Sequence, residues 1–592
     1  SKYNDVTGGN KCTTFYHYHN YLNYFTEWES SLYTLIQRCK LFFDHQYLDI
    51  EFCVLKDNKI KLLQIRPITT LPINIIDIEL ESISSFLKTT LNKKYDTLYG
   101  NRTFFDNMSD WNPAEIIGTV PTRLSASLYE ELITDKVALQ SRASYGYKDV
   151  SMHPLMVNIY GAYYIDIRVV FNSYLPAKTN KQVAEKLINY YLCKFSENIH
   201  LRDKIEFEIL YTCFDPNMDL SHILTKNEEL TFKQHLLEIS KNAFLKIDSE
   251  IEKINYLNKQ IENCNDLCMI IALCKEYGTN PFTGLARTAF IATVILNSLS
   301  ISGHYKETLP YKTVSTEFLK HKQLVMDGKL CCSIFKKWYG HLRPGTYNLL
   351  SSSYKNSFCN YFPELNSLPD VSESILDYQY QPGINKIETP TKLQEYLYEN
   401  GWDIECKDFL NYAKKAIEGR EYAKFIFTKC VSKILDIIGN DYDNQFLDIK
   451  DIICNRKSNI KYWRKEYQTA LNRVNPNTIL SEIDIFHILC NQEIPNFVSN
   501  KIIVADITTD TSIDVNGKIV LLKAADPGYD WLFSKGIIGL ITCYGGANSH
   551  MVIRANELNL PSAIGIGENK FNELKNYKTI VLDCKNKNIK KI

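Results

Sequence analysis

The pattern of apolar residues changes character once along this chain, near Pro495, and that change restricts the fold more than any other feature. Across residues 76–495 apolar side chains recur three and four positions apart, as in Ile251, Ile254, Leu257 and Ile261, the stripe of an amphipathic helix. Within that region residues 163–171 alternate as Tyr-Tyr-Ile-Asp-Ile-Arg-Val-Val-Phe, which predicts a strand. Beyond Pro495, apolar runs at 501–505, 518–522, 537–542 and 579–582 alternate with helical stretches at 526–535 and from about His550. That is the pattern of a compact α/β domain of roughly 95 residues. Residues 492–498 read as a linker, and the C-terminal domain would swing about 492–500. Residues 1–75 read as a mixed segment ending in a hairpin, and the basic run 585–591 as a solvated tail. The expected fold class is α+β multidomain, divided at 1–75, 76–495 and 496–592.

Composition narrows the function classes. Lys and Arg total 68, as do Asp and Glu, so the formal charge is zero. Bulk electrostatic attraction to nucleic acid or an anionic membrane is therefore not expected. The 45% hydrophobic content argues against a disordered scaffold. No run of about 18 uninterrupted apolar residues occurs; the nearest, 290–301, carries Asn297 and two serines. The 17 cysteines include no C-x-x-C pair. Free thiols in a reducing compartment, hence a cytoplasmic protein, explain them better than zinc or disulfides. Nothing here bears on oligomeric state.

The sharpest local signal lies at Thr542-Cys-Tyr-Gly-Gly-Ala-Asn-Ser-His550. An apolar strand ends in Gly545-Gly546, and Ser549 is a suitable N-cap for a helix beginning at His550. Free N–H groups and the positive end of the helix dipole favour phosphate there. A histidine so placed could attack phosphorus through a ring nitrogen, or could simply cap the helix. A second signal is the alternating pair of runs at 48–54 and 60–66, flanking Asp57-Asn58. If those two residues form the turn, Glu51 faces Gln64 and Asp49 faces Arg66 on one face, with Ile50, Phe52, Leu63 and Ile65 on the other. Two carboxylates, an amide oxygen and a guanidinium could make a Mg²⁺–phosphate platform, or a solvated polar face with one salt bridge.

The string around His550 resembles the phosphohistidine domain of the PEP-utilising enzyme family, which includes PEP synthase, pyruvate phosphate dikinase and rifampicin phosphotransferase. Gly545-Gly546, Ser549-His550 and Pro561 match the family motif, while Arg554-Ala555 stand in inverted order. The resemblance implies that His550 is the phosphocarrier. The hairpin resembles the end of the same family's ATP-grasp domain. It implies that Asp49, Glu51, Gln64 and Arg66, followed by Pro67, line the ATP site, with Glu51 and Gln64 as Mg²⁺ ligands. Only the tail of an ATP-grasp domain is recognisable, and the chain opens on Ser1, so a further segment of about one domain is expected upstream. Only 42 residues follow His550 in the 592-residue chain, too few for a pyruvate-binding barrel. The acceptor is therefore expected to be a small molecule bound by a largely helical central domain.

Candidates for binding it are Arg287, at the start of an apolar helix, and His341 and Arg343, in a loop marked by Gly340 and Pro344-Gly345. Arg168 is a fourth, and Arg420 and Lys424 share one helical face. Ordinary salt bridging explains each of these equally well. Residues 107–118 and 164–168 resemble the capsule-associated branch of PEP-synthase-like proteins, which includes an L-glutamine kinase. That resemblance implies the reaction ATP + L-glutamine + water → AMP + phosphate + L-glutamine phosphorylated on its amide nitrogen, serving capsular phosphoramidate synthesis. A rifampicin-type small-molecule phosphotransferase and a non-catalytic phosphocarrier remain open.

Overall fold

The computed structural model describes residues 14–17, 26–45, 47–68, 80–301, 314–365, 391–490, 494–511, 514–547 and 549–592. Near the N-terminus helix α1 (Glu27–Phe43) packs on an antiparallel hairpin of β1 (Leu48–Val54) and β2 (Ile60–Pro67). The two-residue turn at Asp57-Asn58 is not formed. The loop holds three residues, 56–58, closed by the Leu55 N–H donating to the Lys59 carbonyl at 2.8 Å, with Asn58 at φ +59°. Leu63 then drops out of the ladder as a bulge, which restores the register: Glu51 faces Gln64 and Asp49 faces Arg66. The expected pairs therefore form through two offsetting irregularities. Leu63, expected on the apolar face, is 65% exposed, whereas Ile50, Phe52 and Ile65 are half-buried.

The central region combines helices with a small antiparallel sheet. Its strands are β3 (Phe105–Asp106), β4 (Met156–Ile159), β5 (Ala162–Asp166) and β6 (Thr478–Ile479), in the order β4-β5-β3-β6. The strand expected over 163–171 stops at Asp166. The Asp166 carboxylate accepts the Val169 N–H at 3.1 Å and caps a helix at Ile167–Ser173. A satisfied N-cap thus overrides the β propensity of the residues that follow. Three long helices, α2 (Lys226–Asn263), α3 (Asn280–Ile301) and α4 (Cys406–Ile438), pack on one another. Leu267–Ser300 is the one described segment long and apolar enough to cross a membrane by composition, and its most apolar window is 61% buried in the fold. Described cysteines are all free; Cys274 and Cys331 are buried, Cys268 exposed.

The C-terminal sheet has seven strands, β7 (Asn496–Val498), β8 (Ile502–Thr508), β9 (Ile519–Leu522), β10 (Gly539–Thr542), β11 (Ser562–Ile564), β12 (Thr579–Asp583) and β13 (Asn588–Lys591). Their order is β13-β12-β8-β9-β10-β11-β7. The four central strands are parallel and the outer ones antiparallel. Residues 496–498, read as linker, are instead an edge strand, and residues 491–493 lie outside the described residues. The basic tail likewise pairs as β13. Residues 526–535 form a 3-10 helix, Pro527–Ser534, begun by the Asp526 carboxylate accepting the Gly528 N–H at 2.7 Å.

This domain sits against the central region. The Thr346 N–H and hydroxyl both donate to Asp526 at 2.9 Å, and the Tyr354 hydroxyl donates to the Gly528 carbonyl at 2.6 Å. Lys535 pairs with Glu364 at 2.8 Å. Gly528 lies so close to the Arg343–Pro344 backbone that a β-carbon on it would fall 1.7 Å from the Arg343 carbonyl oxygen.

Candidate functional site

At the end of β10 the chain turns through Gly545, at φ +150°, where a β-carbon would meet Ile564 at 2.6 Å. The turn delivers Ser549, whose side chain accepts the Val552 N–H as the N-cap of helix α5 (His550–Glu557). His550 is the first helical residue and is 5% exposed. Its Nε2 lies 2.7 Å from Asp530 Oδ1 of the same domain, and its Nδ1 3.4 Å from Glu421 Oε2 of α4. Arg554, one turn on, approaches Asp530 at 3.7 Å and pairs with Glu557 at 2.6 Å.

Burial alone would depress the His550 pKa. Asp530 and Glu421 outweigh burial and the nearby Lys424 cation, so the pKa is raised above the ordinary histidine value. Glu421 is held well below the carboxylate range despite burial, by Arg420, the hydrogen bond to His550, and Lys424. The imidazolium therefore bridges a carboxylate of its own domain and one of the central region. Because the pKa is raised in the folded protein, chiefly by Asp530 of the same domain, this contribution to stability is complete below about pH 6.5 and is lost as pH rises through the raised value. The thermal unfolding midpoint should accordingly be lower at alkaline than at mildly acidic pH. His550→Gln should remove that pH dependence.

Beside this histidine lies a cavity of about 230 Å³ between the two domains. The C-terminal domain supplies Gly546, Ser549 and Asp526 to its wall, and α4 supplies Arg420, Glu421 and Lys424. Glu421 and Lys424 also line the small pocket that holds His550, so they separate the histidine from the larger space. Glu115, buried in the wall, accepts the Gly546 N–H at 3.2 Å across the domain boundary, and burial raises its pKa. Asp110, Arg142, Tyr174, Glu206 and Arg287 also line the cavity.

Of the acceptor-binding candidates, Arg287 lines this cavity. Arg168 does not: it is fully buried elsewhere, over the Tyr95 ring and within 3.5 Å of the Gly100 carbonyl. His341 does not either. Its ring lies edge-on to Phe425, and burial lowers its pKa to about 3, leaving it neutral. The Arg343 side chain is occupied by Asp436 at 2.8 Å and Ser432 at 3.0 Å, while its backbone abuts Gly528. These three act within the packing and the docking loop rather than on a ligand in the cavity. Sequence reasoning missed Asp530, Glu421, Glu115 and Asp110. Glu421 stands between Arg420 and Lys424, the two cations noted on one helix face, and was the most accessible of the four.

The hairpin cluster lies apart from His550 in its contacts. Arg66 Nη2 donates to Glu51 Oε1 at 2.6 Å and to Gln64 Oε1 at 3.2 Å, and Arg66 Nε is 3.8 Å from Asp49. All four side chains are solvent-exposed, so these pairs add little stability. Among the described residues no group of three or more His, Cys, Asp or Glu side chains is arranged to hold a metal. The Glu51 carboxylate and Gln64 amide are nevertheless hard oxygen donors. They fit Mg²⁺, which commonly takes one or two protein ligands and completes its shell with phosphate and water.

The C-terminal sheet domain thus presents a buried histidine at a helix N-terminus and is docked beside a charged cavity. Residues 513–587 match the family described as PEP-utilising enzyme, mobile domain, which supports phosphohistidine-dependent phosphotransfer in general. No curated protein matches the chain.

Proposed function

We propose that the protein is an ATP-dependent phosphotransferase in which His550 carries the phosphoryl group and a small molecule in the interdomain cavity receives it. The observation that carries this reading is that one cavity is lined both by Gly546 and Ser549, immediately before His550, and by Arg287 and its charged neighbours. ATP would bind at the hairpin, its phosphates meeting Arg66, and Mg²⁺ held by Glu51 and Gln64 would neutralise phosphate charge. The C-terminal domain would then move between hairpin and cavity. In the docked arrangement both ring nitrogens face carboxylates, as suits a carrier that has already released its phosphoryl group.

The preferred acceptor is L-glutamine, giving AMP, phosphate and N-phosphorylated glutamine for capsular phosphoramidate synthesis. A cavity of about 230 Å³ lies below the range of roughly 300–1,000 Å³ typical for drug-sized ligands and favours a small metabolite over a macrocyclic antibiotic. In the transfer, the bond from phosphorus to the imidazole nitrogen breaks and one to the amide nitrogen forms. The amide proton passes to a carboxylate, for which Glu115, with its pKa raised by burial, is best matched. Phosphorus NMR of the full-length protein incubated with ATP, Mg²⁺ and L-glutamine should develop a phosphoramidate resonance. If ATP is converted to AMP and two equivalents of phosphate with no such resonance, glutamine is not the acceptor.

A further inference from the structure

One part of the cavity wall is built by side chains that are buried, charged and incompletely partnered. Arg287 is 4% exposed and pairs with Glu206 through Nη1 at 3.3 Å, yet its Nε and Nη2 have no hydrogen-bond partner. The Asp110 side chain is 4% exposed; its Oδ1 accepts from Arg142 Nη2 at 2.6 Å and from the Tyr174 hydroxyl at 3.2 Å, while its Oδ2 has no partner. The Tyr174 hydroxyl also meets Glu206, so its single proton is shared between the two carboxylates, and Glu206 in turn pairs with Arg287. Leaving such atoms desolvated and unpaired is costly, and a ligand that completes them recovers that cost.

The sign of the charges says what such a ligand is. Asp110 and Glu206 offset Arg142 and Arg287, so the wall is formally neutral and offers no net attraction to a phosphate or a simple carboxylate. It does offer one open guanidinium edge and one open carboxylate oxygen in the lining of a single cavity. Asp110 is also held at φ +55°, in the left-handed region, by a loop anchored on buried Asp106, which accepts from the Met108 N–H at 2.7 Å and the Ser109 hydroxyl at 2.9 Å. Strain of this kind persists where the surrounding structure holds a side chain in a required direction. The same cavity is also lined by the apolar side chains of Ile116, Ile133, Phe282 and Phe427.

We infer that this wall is a binding subsite for the zwitterionic head of a free α-amino acid. Arg287 takes the α-carboxylate, Asp110 takes the α-ammonium, and the side chain extends across the apolar belt towards His550. The inference rests on the proposed acceptor role of the cavity and specifies the chemical class that it recognises.

Thermal-shift measurements on the intact chain with each of the twenty standard L-amino acids provide the first test, and stabilisation by none of them overturns the inference. For the stabilising amino acid, calorimetry should find that its des-amino analogue and its α-methyl ester each bind at least about tenfold more weakly. Equal affinity for either analogue overturns the corresponding assignment. Asp110→Asn should weaken the parent amino acid but change the affinity of the des-amino analogue less than about twofold. Arg287→Lys, which keeps a cation for Glu206 but lacks the forked edge, should behave likewise towards the ester. Because the analogue arm uses the unaltered protein, the test survives misfolding of either variant. None of these measurements depends on phosphate at His550, so failure here and failure of the phosphotransfer reading are separable.

Discussion

His550→Ala in the full-length protein should abolish labelling from ATP labelled in its β-phosphate, whereas the unaltered full-length protein should acquire acid-labile, base-stable label. The expected loss is complete, because the substitution removes the only atoms proposed to bond phosphorus. The helix bearing His550 should survive, since its cap is the Ser549 side chain, which accepts the Val552 N–H independently of the imidazole. His550→Ala also leaves Asp530 and Glu421 buried at the interface without their shared cation, so docking should loosen at the same time. Far-ultraviolet circular dichroism would establish that the domain remains folded. Label persisting on the variant would remove His550 from the carrier role.

Gly528→Ala should separate the two halves of the reaction. Gly528 is not at a positive φ, so alanine suits its own backbone, and the conflict arises with the partner domain. A β-carbon 1.7 Å from the Arg343 carbonyl oxygen cannot be relieved by rotating a side chain, because backbone lies on both sides of the contact. Overpacking typically costs about 1–3 kcal/mol, and a backbone collision lies at or beyond the upper end, about 100-fold in the docked population. Labelling of His550 should be nearly unchanged, while transfer to an acceptor falls by about that factor. The C-terminal domain should keep its melting temperature within a few degrees. If both steps fall together, the docked arrangement is not specific to acceptor transfer. If neither falls, the Gly528–Arg343 contact is not on the reaction path.

Local order determined what could be read from the sequence. The strand, Gly-Gly turn, Ser549 cap and His550 helix follow one another within about a dozen residues, so their chemistry needs no long-range information. The same holds for the helical stripe of Ile251, Ile254, Leu257 and Ile261, which becomes the buried face of α2. The hairpin pairs of Asp49, Glu51, Gln64 and Arg66 were also legible, although the turn and the bulge at Leu63 were not. Alternation reports a strand face but not where a residue leaves the ladder. Residues 496–498 and 588–591 looked like linker and tail because three- and four-residue edge strands carry too few side chains to display a period.

What the sequence could not rank were the cations. Arg168, Arg287 and Arg343 are alike in a one-dimensional reading, each a guanidinium in apolar surroundings. Only the tertiary structure distributes them, with Arg168 over Tyr95, Arg343 on Asp436 and Arg287 in the cavity wall. The carboxylates facing His550 are equally a product of folding, since Asp530 lies 20 residues before it and Glu421 129 residues before it. Sequence alone thus placed the candidate reactive atom at a helix N-terminus, because that is a local construction. Tertiary structure decided what surrounds that atom and what lies opposite it. A binding cavity is made by segments distant in sequence, and its charges acquire meaning only once burial shows which of them remain unpaired.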